Sequence, residues 1–347
     1  MSAPSSASSS SLRPAPNPRA RIYTGTARNL ARLARVLRSG GLVAAPTETV
    51  YGLAANALNA DACAKIFTAK ARPATDPLIV HIRALAEWDT LAHVNPAALR
   101  LAKAFWPGPL TIVLPKKDIV PALVSAGLPS VAVRMPAHPL FRRLLRLAGL
   151  PLAAPSANPF GYVSPTTASH VRANLGTQID HILDGGPCTV GLESTIVDLR
   201  DPSRPRLLRP GAITRAQLEK VLGVRVLSAP PKPRAPDAAQ LAPGMLTRHY
   251  SPRTPVTLHP RLSAAAVARG DATAAWVFTA RPRTVAGKNI FWLDAQGDLP
   301  RVAHNLFALL RQLDEAGFTH LHFELARGSD GLADAINDRL RRAAARG

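Results

Sequence analysis

Short apolar runs alternate along the chain with stretches in which apolar residues recur every three or four positions. In the first such stretch Leu30, Leu33, Ala34 and Leu37 share one helical face, and Thr26 stands where a helix N-cap is expected. The short runs predict strands at 42–45, 78–80, 110–114, 131–133, 152–154, 179–183, 195–199 and 206–208. Strands that alternate with helices in this way predict an α/β fold.

The pattern is interrupted by a proline-rich stretch and then restarts. Strands predicted at 256–258, 275–278, 290–293 and 321–325 alternate with helices, which indicates a second, smaller, Rossmann-like α/β domain. We therefore expect four parts, which are a disordered tail (1–20), a first α/β domain (21–227), an extended linker (228–255) and a C-terminal α/β domain (256–347). No residue of 256–347 is expected to be catalytic.

Polar side chains follow the two buried strands of the stretch 41–82. Residues 47–49 (Thr-Glu-Thr) come directly after one strand, and His81 follows the other. Between them a helix, which Asp61 is expected to cap, ends in Lys70 and Arg72. Ligand groups commonly lie at such strand ends in open α/β sheets. The two cations are also compatible with a solvated helix end, and His81 with a structural histidine.

Similar groups follow later strands. Arg134 ends a buried run and needs an anion, which could be an internal carboxylate or that of a ligand. Ser156 lies on a loop, Ser164 is expected to cap a helix, Ser194 enters a strand and Arg209 leaves one. Taken singly, each is compatible with turn or cap chemistry. Together they favour orientation and charge neutralisation over a nucleophile–histidine–acid triad.

Composition narrows the classes of function. The 347 residues include 43 Lys+Arg and 22 Asp+Glu, a net charge of +21 that favours nucleotide, phosphate or weak tRNA/RNA binding, although a genome-wide bias would also produce it. No Walker A, G-x-G-x-x-G or H-E-x-x-H motif is present. Cys63 and Cys188 are too far apart in sequence for a zinc motif and fit a reducing, cytoplasmic setting. No run is long enough for a membrane span.

Several motifs in order resemble one family. They are PTETVYGLAANA, KARPATDPLIVHI, WPGPLTIVLPK, VAVRMP, PLAAPSANPFGYVSPTTASHV, GLESTIVDL and LLRPGAI, followed by HYSP in the linker and GLADAINDRLRRAA near the C-terminus. Over roughly residues 25–225 the chain resembles the YrdC-like threonylcarbamoyl-AMP synthases, and the later motifs resemble their two-domain long form. This resemblance implies a twisted mixed sheet with a large, basic cavity.

The resemblance also implies a reaction. L-threonine, bicarbonate and ATP, with Mg²⁺, would give L-threonylcarbamoyl-AMP and pyrophosphate. Downstream tRNA threonylcarbamoyl transferase proteins would then transfer the threonylcarbamoyl group to tRNA next to the anticodon, with release of AMP. The linker, with Tyr250, is expected to close over the active site. Two alternatives are an RNA-binding module without catalysis and a transferase that uses carbamoyl-adenylate, although the chain lacks the cysteine-rich motifs and the acylphosphatase segment of the latter.

Matching of motifs assigns residues to the two substrates. The resemblance implies that threonine is surrounded by Thr49, His81, Arg134, Ala154 and Ser194. It implies that ATP is surrounded by Arg72, Asp76, Thr111, Ser156, Ser164, Arg209 and Tyr250, with Lys70 and Arg72 as the catalytic cations. Asp76 departs from the asparagine common at that place. An ionised Asp cannot donate a hydrogen bond to a phosphate, so it could instead face magnesium or a neighbouring Arg.

Overall fold

A computed structural model describes residues 20–229, 239–246, 249–268, 270–328 and 331–345. Within these ranges eleven strands form one mixed sheet and four form a second, parallel sheet. The predicted disordered tail, apart from Ala20, lies outside the described residues, as do 230–238 and 247–248 of the predicted linker. Among the described helices, none is long and apolar enough to cross a membrane.

The first sheet is built from residues 21–228. Its strands are β1 (Arg21–Tyr23), β2 (Val43–Ala45), β3 (Gly52–Asn56), β4 (Ile79–His81), β5 (Leu110–Pro115), β6 (Ser130–Arg134), β7 (Leu152–Ala153), β8 (His181–Leu183), β9 (Thr195–Asp198), β10 (Arg206–Arg209) and β11 (Leu227–Ser228). They lie in the order β1-β8-β2-β3-β7-β4-β6-β5-β9-β10-β11. The sheet is mixed, because it contains parallel pairs such as β4 with β6 and antiparallel pairs such as β2 with β3.

Seven helices accompany this sheet in the described part of the chain. They are α1 (Ala27–Arg38), α2 (Ala60–Lys70), α3 (Leu85–Leu91), α4 (Pro96–Phe105), α5 (Pro139–Ala148), α6 (Ala168–Leu175) and α7 (Arg215–Leu222). The predicted face of α1 is buried, and Thr26 accepts a hydrogen bond from the Asn29 amide as its N-cap. Apolar faces of this kind form the cores on either side of the sheet.

Two predicted helix caps are wrong. The side chain of Asn59, and not that of Asp61, accepts from the Ala62 amide at the start of α2. Thr167, and not Ser164, caps α6. Asp61 lies one position inside its helix, where a carboxylate still complements the dipole. Ser164 precedes its helix by a full turn and is buried, which leaves its hydroxyl available for a different contact.

The second sheet is built from the C-terminal part of the chain. Its strands are β12 (Val256–His259), β13 (Ala275–Ala280), β14 (Ile290–Asp294) and β15 (Leu321–Glu324), in the order β12-β15-β13-β14. Its helices are α8 (Ala264–Ala268), α9 (Leu299–Glu315) and α10 (Leu332–Ala344). All of its strand pairs are parallel, which agrees with the expected small α/β unit. Helices α9 and α10 share a core with Val50, Val163 and Leu192 of the first unit.

Candidate active site

A cavity of about 50 Å³ lies where the ends of several strands of the first sheet meet the linker. Of the thirteen residues predicted from the motifs, nine line it, and they are Thr49, Arg72, His81, Arg134, Ala154, Ser156, Ser194, Arg209 and Tyr250. The other four, Lys70, Asp76, Thr111 and Ser164, are buried beside residues of this lining. The fold therefore brings together residues that are as far apart in sequence as Thr49 and Tyr250.

Arg134 is held at the end of β6 by groups from the β2–β3 connection. Its Nη2 lies 2.6 Å from Oε1 of Glu48, its Nη1 donates to Thr49 Oγ1 at 2.9 Å, and its Nε donates to the Gly108 carbonyl at 3.1 Å. Burial disfavours the charged form of Glu48, but the Arg134 guanidinium outweighs this effect and lowers the pKa of Glu48. The sequence did not decide whether the anion facing Arg134 is internal or belongs to a ligand, and the structure shows an internal carboxylate.

His81 occupies the end of β4, next to β6 in the sheet. Its ring packs edge-on against Phe141, with centroids 5.4 Å apart, and its Nδ1 has no hydrogen-bond partner among the described residues. Burial, followed by repulsion from Arg134, lowers the pKa of His81 to about 3. The imidazole is consequently neutral at physiological pH and carries one nitrogen that can accept a hydrogen bond.

Arg72 and Asp76 form a buried ion pair after the C-terminus of α2. Arg72 Nη2 lies 3.1 Å from Asp76 Oδ2, and the guanidinium also donates to the Asp76 and Pro77 carbonyls. Burial raises the pKa of Asp76 despite the nearby Arg72. The aspartate at this position was expected to face either magnesium or a neighbouring arginine, and in the structure it faces an arginine.

Arg209 connects β10 with Ser194 and with the linker. Its Nε donates to the Ser194 carbonyl at 3.0 Å, its Nη2 to Ser194 Oγ at 3.1 Å and its Nη1 to the Pro243 carbonyl at 3.2 Å. The Ser194 hydroxyl also lies 2.8 Å from Thr111 Oγ1 of β5. Thr111 is therefore placed to orient Ser194 from behind the cavity wall.

Lys70 lies behind the loop that carries Ser156. Its Nζ donates to the Ser156 and Asn158 carbonyls, so the ammonium group fixes the shape of this loop. Burial, followed by repulsion from Arg72, lowers the pKa of Lys70 well below its ordinary value. Its predicted role as a catalytic cation stays a prediction.

Two linker segments form part of the cavity wall. Pro243 and Gly244 line it together with His249 and Tyr250. Tyr250 is buried although its backbone φ is +60°, which is costly for a bulky residue and is typical of functional sites. Gly244 has φ +77°, and a Cβ there would lie 2.5 Å from the Tyr250 hydroxyl, so glycine is required for this packing.

Three charged residues that shape the site were not expected from the sequence, and they are Glu193, Arg311 and Arg339. Glu48 was expected among the polar groups after β2, but not as the partner of Arg134. Glu193 sits inside the motif GLEST, directly before Ser194. Arg311 and Arg339 belong to α9 and α10, where no functional residue was expected. Both arginines are buried, and their side chains reach the first unit, where they contact the Val163 and Ser164 carbonyls and Glu193 respectively. An arginine on the apolar face of a helix is almost never fully buried without a partner, so the position of these arginines on their helices could have indicated a contact.

The large cavity implied by the resemblance is not seen in the structure. The enclosed space of about 50 Å³ holds roughly three to five water molecules, whereas sites for drug-sized ligands enclose about 300–1,000 Å³. His249 and Tyr250 are buried against the site, and their ring centroids lie 4.1 Å apart. The linker residues therefore leave little room in this conformation.

Comparisons with known proteins give one consistent result. A family model described as "Telomere recombination" matches residues 35–211, and one described as "Threonylcarbamoyl-AMP synthase, C-terminal domain" matches residues 213–345. The threonylcarbamoyl-AMP synthase of Pyrococcus abyssi is 42% identical over 318 residues, which cover 88% of this chain and 91% of that protein. The threonylcarbamoyl-AMP synthase of Bacillus subtilis is 47% identical over 231 residues, or 66% of each chain.

A solved structure agrees with these relatives. The crystal structure of Pyrococcus abyssi Sua5 complexed with L-threonine matches with a TM-score of 0.84 and 39% identity, and the match covers 93% of this chain and 97% of that one. A match of this extent includes residues of both sheets. It confirms the expected combination of a mixed α/β sheet with a second, smaller parallel sheet.

Proposed function

Because this chain belongs to the threonylcarbamoyl-AMP synthase family, we propose that it forms L-threonylcarbamoyl-AMP and pyrophosphate from L-threonine, bicarbonate and ATP. The observation that carries the proposal is the convergence of both predicted residue sets on one cavity. Four residues assigned to ATP and five assigned to threonine line the same enclosed space. A carboxylate and a triphosphate can be brought together there.

The half of the cavity around Arg134 suits the amino acid. A guanidinium has five N–H donors, and three of them face Glu48, Thr49 and Gly108, which leaves two for a ligand carboxylate. The neutral imidazole of His81 offers an acceptor to the threonine ammonium or hydroxyl. We assign Thr49, His81 and Arg134 to threonine on these grounds, and Ala154 and Ser194 by their position in the wall.

The half around Arg72 and Arg209 suits the nucleotide. Both guanidinium groups are buried in the lining, and Ser156 and Tyr250 lie beside them. Cations in a site of low dielectric attract phosphate oxygens far more strongly than they do in water. We assign Arg72 and Arg209 to the phosphates. Ser156, Ser164, Thr111 and Tyr250 complete the nucleotide side, and Lys70 adds positive charge from behind the loop.

The chemistry consists of two bond-forming steps. The deprotonated threonine amine attacks the bicarbonate carbon, and water leaves to give the N-carboxylate. An oxygen of that carboxylate then attacks the α-phosphorus, and the bond to pyrophosphate breaks. Both partners of the second step are anionic, so the buried arginines are needed to bring them close. N-carboxythreonine is short-lived in water, which makes an enclosed site useful.

The linker is proposed to close the site. Its residues Pro243, Gly244, His249 and Tyr250 supply wall that the first sheet does not. Opening would admit ATP, and closing would exclude water from the N-carboxylate. In this proposal residues 21–227 form the catalytic domain, 228–255 the closing linker and 256–347 the C-terminal domain.

We add proposals for the role of magnesium, the cellular location and the partners of the protein. Magnesium is proposed to arrive with ATP, because the Asp76 carboxylate beside Arg72 is already paired with that arginine. We propose a cytoplasmic protein whose product passes to the transferases that modify tRNA next to the anticodon. Weak tRNA/RNA binding is proposed from the net charge of +21 alone. An RNA-binding module without catalysis and a carbamoyl-adenylate transferase are not favoured, since relatives that match along most of this chain are synthases.

One assay tests the proposed function. The protein is incubated with threonine, bicarbonate, ATP and magnesium, and the nucleotide products are identified by mass spectrometry. We expect a threonylcarbamoyl adenylate and equimolar pyrophosphate, both dependent on threonine and on bicarbonate. Pyrophosphate release that continues without threonine would contradict the proposal. Parallel reactions with serine or with no amino acid serve as controls.

A further inference from the structure

Helix α10 of the C-terminal unit inserts one arginine behind the cavity. Arg339 is fully buried, its Nε donates to Glu193 Oε2 at 2.9 Å, and its Nη1 pairs with Asp338 at 2.8 Å. Its guanidinium carbon also lies 5.3 Å from the centroid of the Tyr250 ring. One side chain therefore contacts both the strand-entry segment at residue 193 and the linker tyrosine.

Glu193 links Arg339 to Ser164, which is assigned to the nucleotide. One carboxylate oxygen receives the Arg339 bond, and the other accepts a hydrogen bond from the Ser164 hydroxyl. Glu193 itself lines the cavity and is followed in the chain by Ser194, which Arg209 holds. The order and charge of this part of the wall therefore depend on a residue almost 150 positions later in the sequence.

A second arginine of the C-terminal unit holds the same region. Arg311 of α9 donates to the Val163 carbonyl and, at 3.3 Å, to the Ser164 carbonyl. The backbone that carries Ser164 is thus fixed by Arg311, while its hydroxyl is fixed through Glu193. Both contacts converge on Ser164, which is assigned here to ATP.

The threonine side is held differently. Arg134 is fixed by Glu48, Thr49 and Gly108, all from the first sheet and its loops. Within the described residues no hydrogen bond or ion pair joins the C-terminal unit to Thr49, His81 or Arg134. The polar contacts of Arg339 therefore fall on groups of the nucleotide side, and its link to the threonine side is limited to the backbone between Glu193 and Ser194.

We propose that Arg339 is a positioning residue for ATP, which acts through Glu193 on Ser164 and through its contact with Tyr250. This inference rests on the proposed function. It gives the C-terminal unit a defined part in the reaction, although that unit supplies no residue to the cavity lining among the described residues.

The test compares Arg339→Met with Arg341→Met, a matched change on the exposed face of the same helix. Affinity for a non-hydrolysable ATP analogue and for threonine is measured separately by calorimetry, and both KM values are measured by pyrophosphate release. For Arg339→Met we expect the Kd and the KM for ATP to rise about 10- to 100-fold, the effect of losing a buried hydrogen bond to a charged group. The threonine constants should change less than about threefold, and Arg341→Met should match the wild type.

Further variants keep the inference open to refutation if Arg339→Met does not fold. Arg339→Lys keeps the charge and should recover part of the ATP affinity. Glu193→Gln keeps the size of the side chain and should reproduce the selective loss of ATP binding, without adding to the effect of Arg339→Met in the double variant. Equal losses for both substrates, or no loss of ATP affinity in a folded variant, would overturn the positioning role. A wild-type protein that binds neither ATP nor threonine would instead overturn the proposed function.

Discussion

The buried pair of Arg134 and Glu48 allows stability and threonine binding to be separated. Arg134→Met removes the guanidinium and leaves the Glu48 carboxylate buried without its partner. The pair is close, at 2.6 Å, and both side chains are less than a tenth exposed. Breaking such a pair costs about 3–5 kcal/mol of stability, whereas replacing both charges by uncharged groups is often nearly neutral.

The double variant Arg134→Met/Glu48→Gln is therefore informative. We expect it to recover most of the stability lost in Arg134→Met, as measured by urea unfolding. Threonine binding should not recover, because the ligand carboxylate still lacks its guanidinium. A charge-assisted hydrogen bond is worth about 1.5–3 kcal/mol, so the threonine Kd should rise roughly 10- to 150-fold in both variants.

The assay is calorimetric titration with threonine at matched fractions of folded protein, with an ATP analogue as the control ligand. Affinity for the analogue should stay within about threefold of the wild type in the double variant. If threonine affinity returns together with stability, Arg134 has only the internal role that its pairing with Glu48 supplies, and the carboxylate assignment is wrong.

Three further predictions concern single positions. The pKa of His81 in the folded protein, about 3, lies below its ordinary value of 6.5, so the unfolded chain takes up the proton first as the pH falls. Between pH 7.5 and 5.5 the free energy of unfolding of the wild type should therefore fall by about 1.4 kcal/mol more than that of His81→Asn. Equal pH slopes for the two proteins would contradict this prediction. Asp76→Asn removes a negative charge beside the proposed triphosphate site. It should therefore lower the KM for ATP about three- to tenfold in the pyrophosphate assay. A raised KM would mean that Asp76 itself contributes to ATP binding. Gly191→Ala places a Cβ 2.5 Å from His304 Cα, whereas a Cβ at Gly186, which has the same φ of +77°, has no neighbour within 4 Å. In urea unfolding, Gly191→Ala should therefore lower the free energy of unfolding by about 1–3 kcal/mol more than Gly186→Ala does. Similar losses in the two variants would argue against a tight contact at residue 191.

Much of the fold could be predicted because periodicity reports burial directly. The face of α1 and the runs that became β5 and β6 were assigned correctly, since their apolar residues are buried as the pattern requires. Strand β3 was missed because Gly52–Asn56 is short and rich in alanine and glycine, which have little preference for strands. Its pairing with β2 and β7 is a tertiary effect that local preference does not encode.

The candidate site was predictable up to the identity of each partner. A buried Arg134 requires an anion, but the chain alone could not decide between an internal carboxylate and that of a ligand, and the structure identifies the internal one as Glu48. Ser164 was read as a helix cap because Pro165 follows it, whereas its hydroxyl donates to Glu193. Arg339 was not predicted to have a functional role, because arginine on an amphipathic helix is usually exposed to solvent. Its partner, Glu193, belongs to the first unit, so the sequence near Arg339 gives no indication of the contact.

The position of β8 has a consequence for how the chain is made. Strand β8 lies between β1 and β2 and pairs with both, yet it is synthesised about 160 residues after β1. At 5–20 residues per second a ribosome needs roughly 8–30 s to reach it. During that interval β2 and β3 can pair locally, but one edge of β2 remains open to other chains. Factors that shield nascent chains should therefore act on this protein before residue 183 emerges.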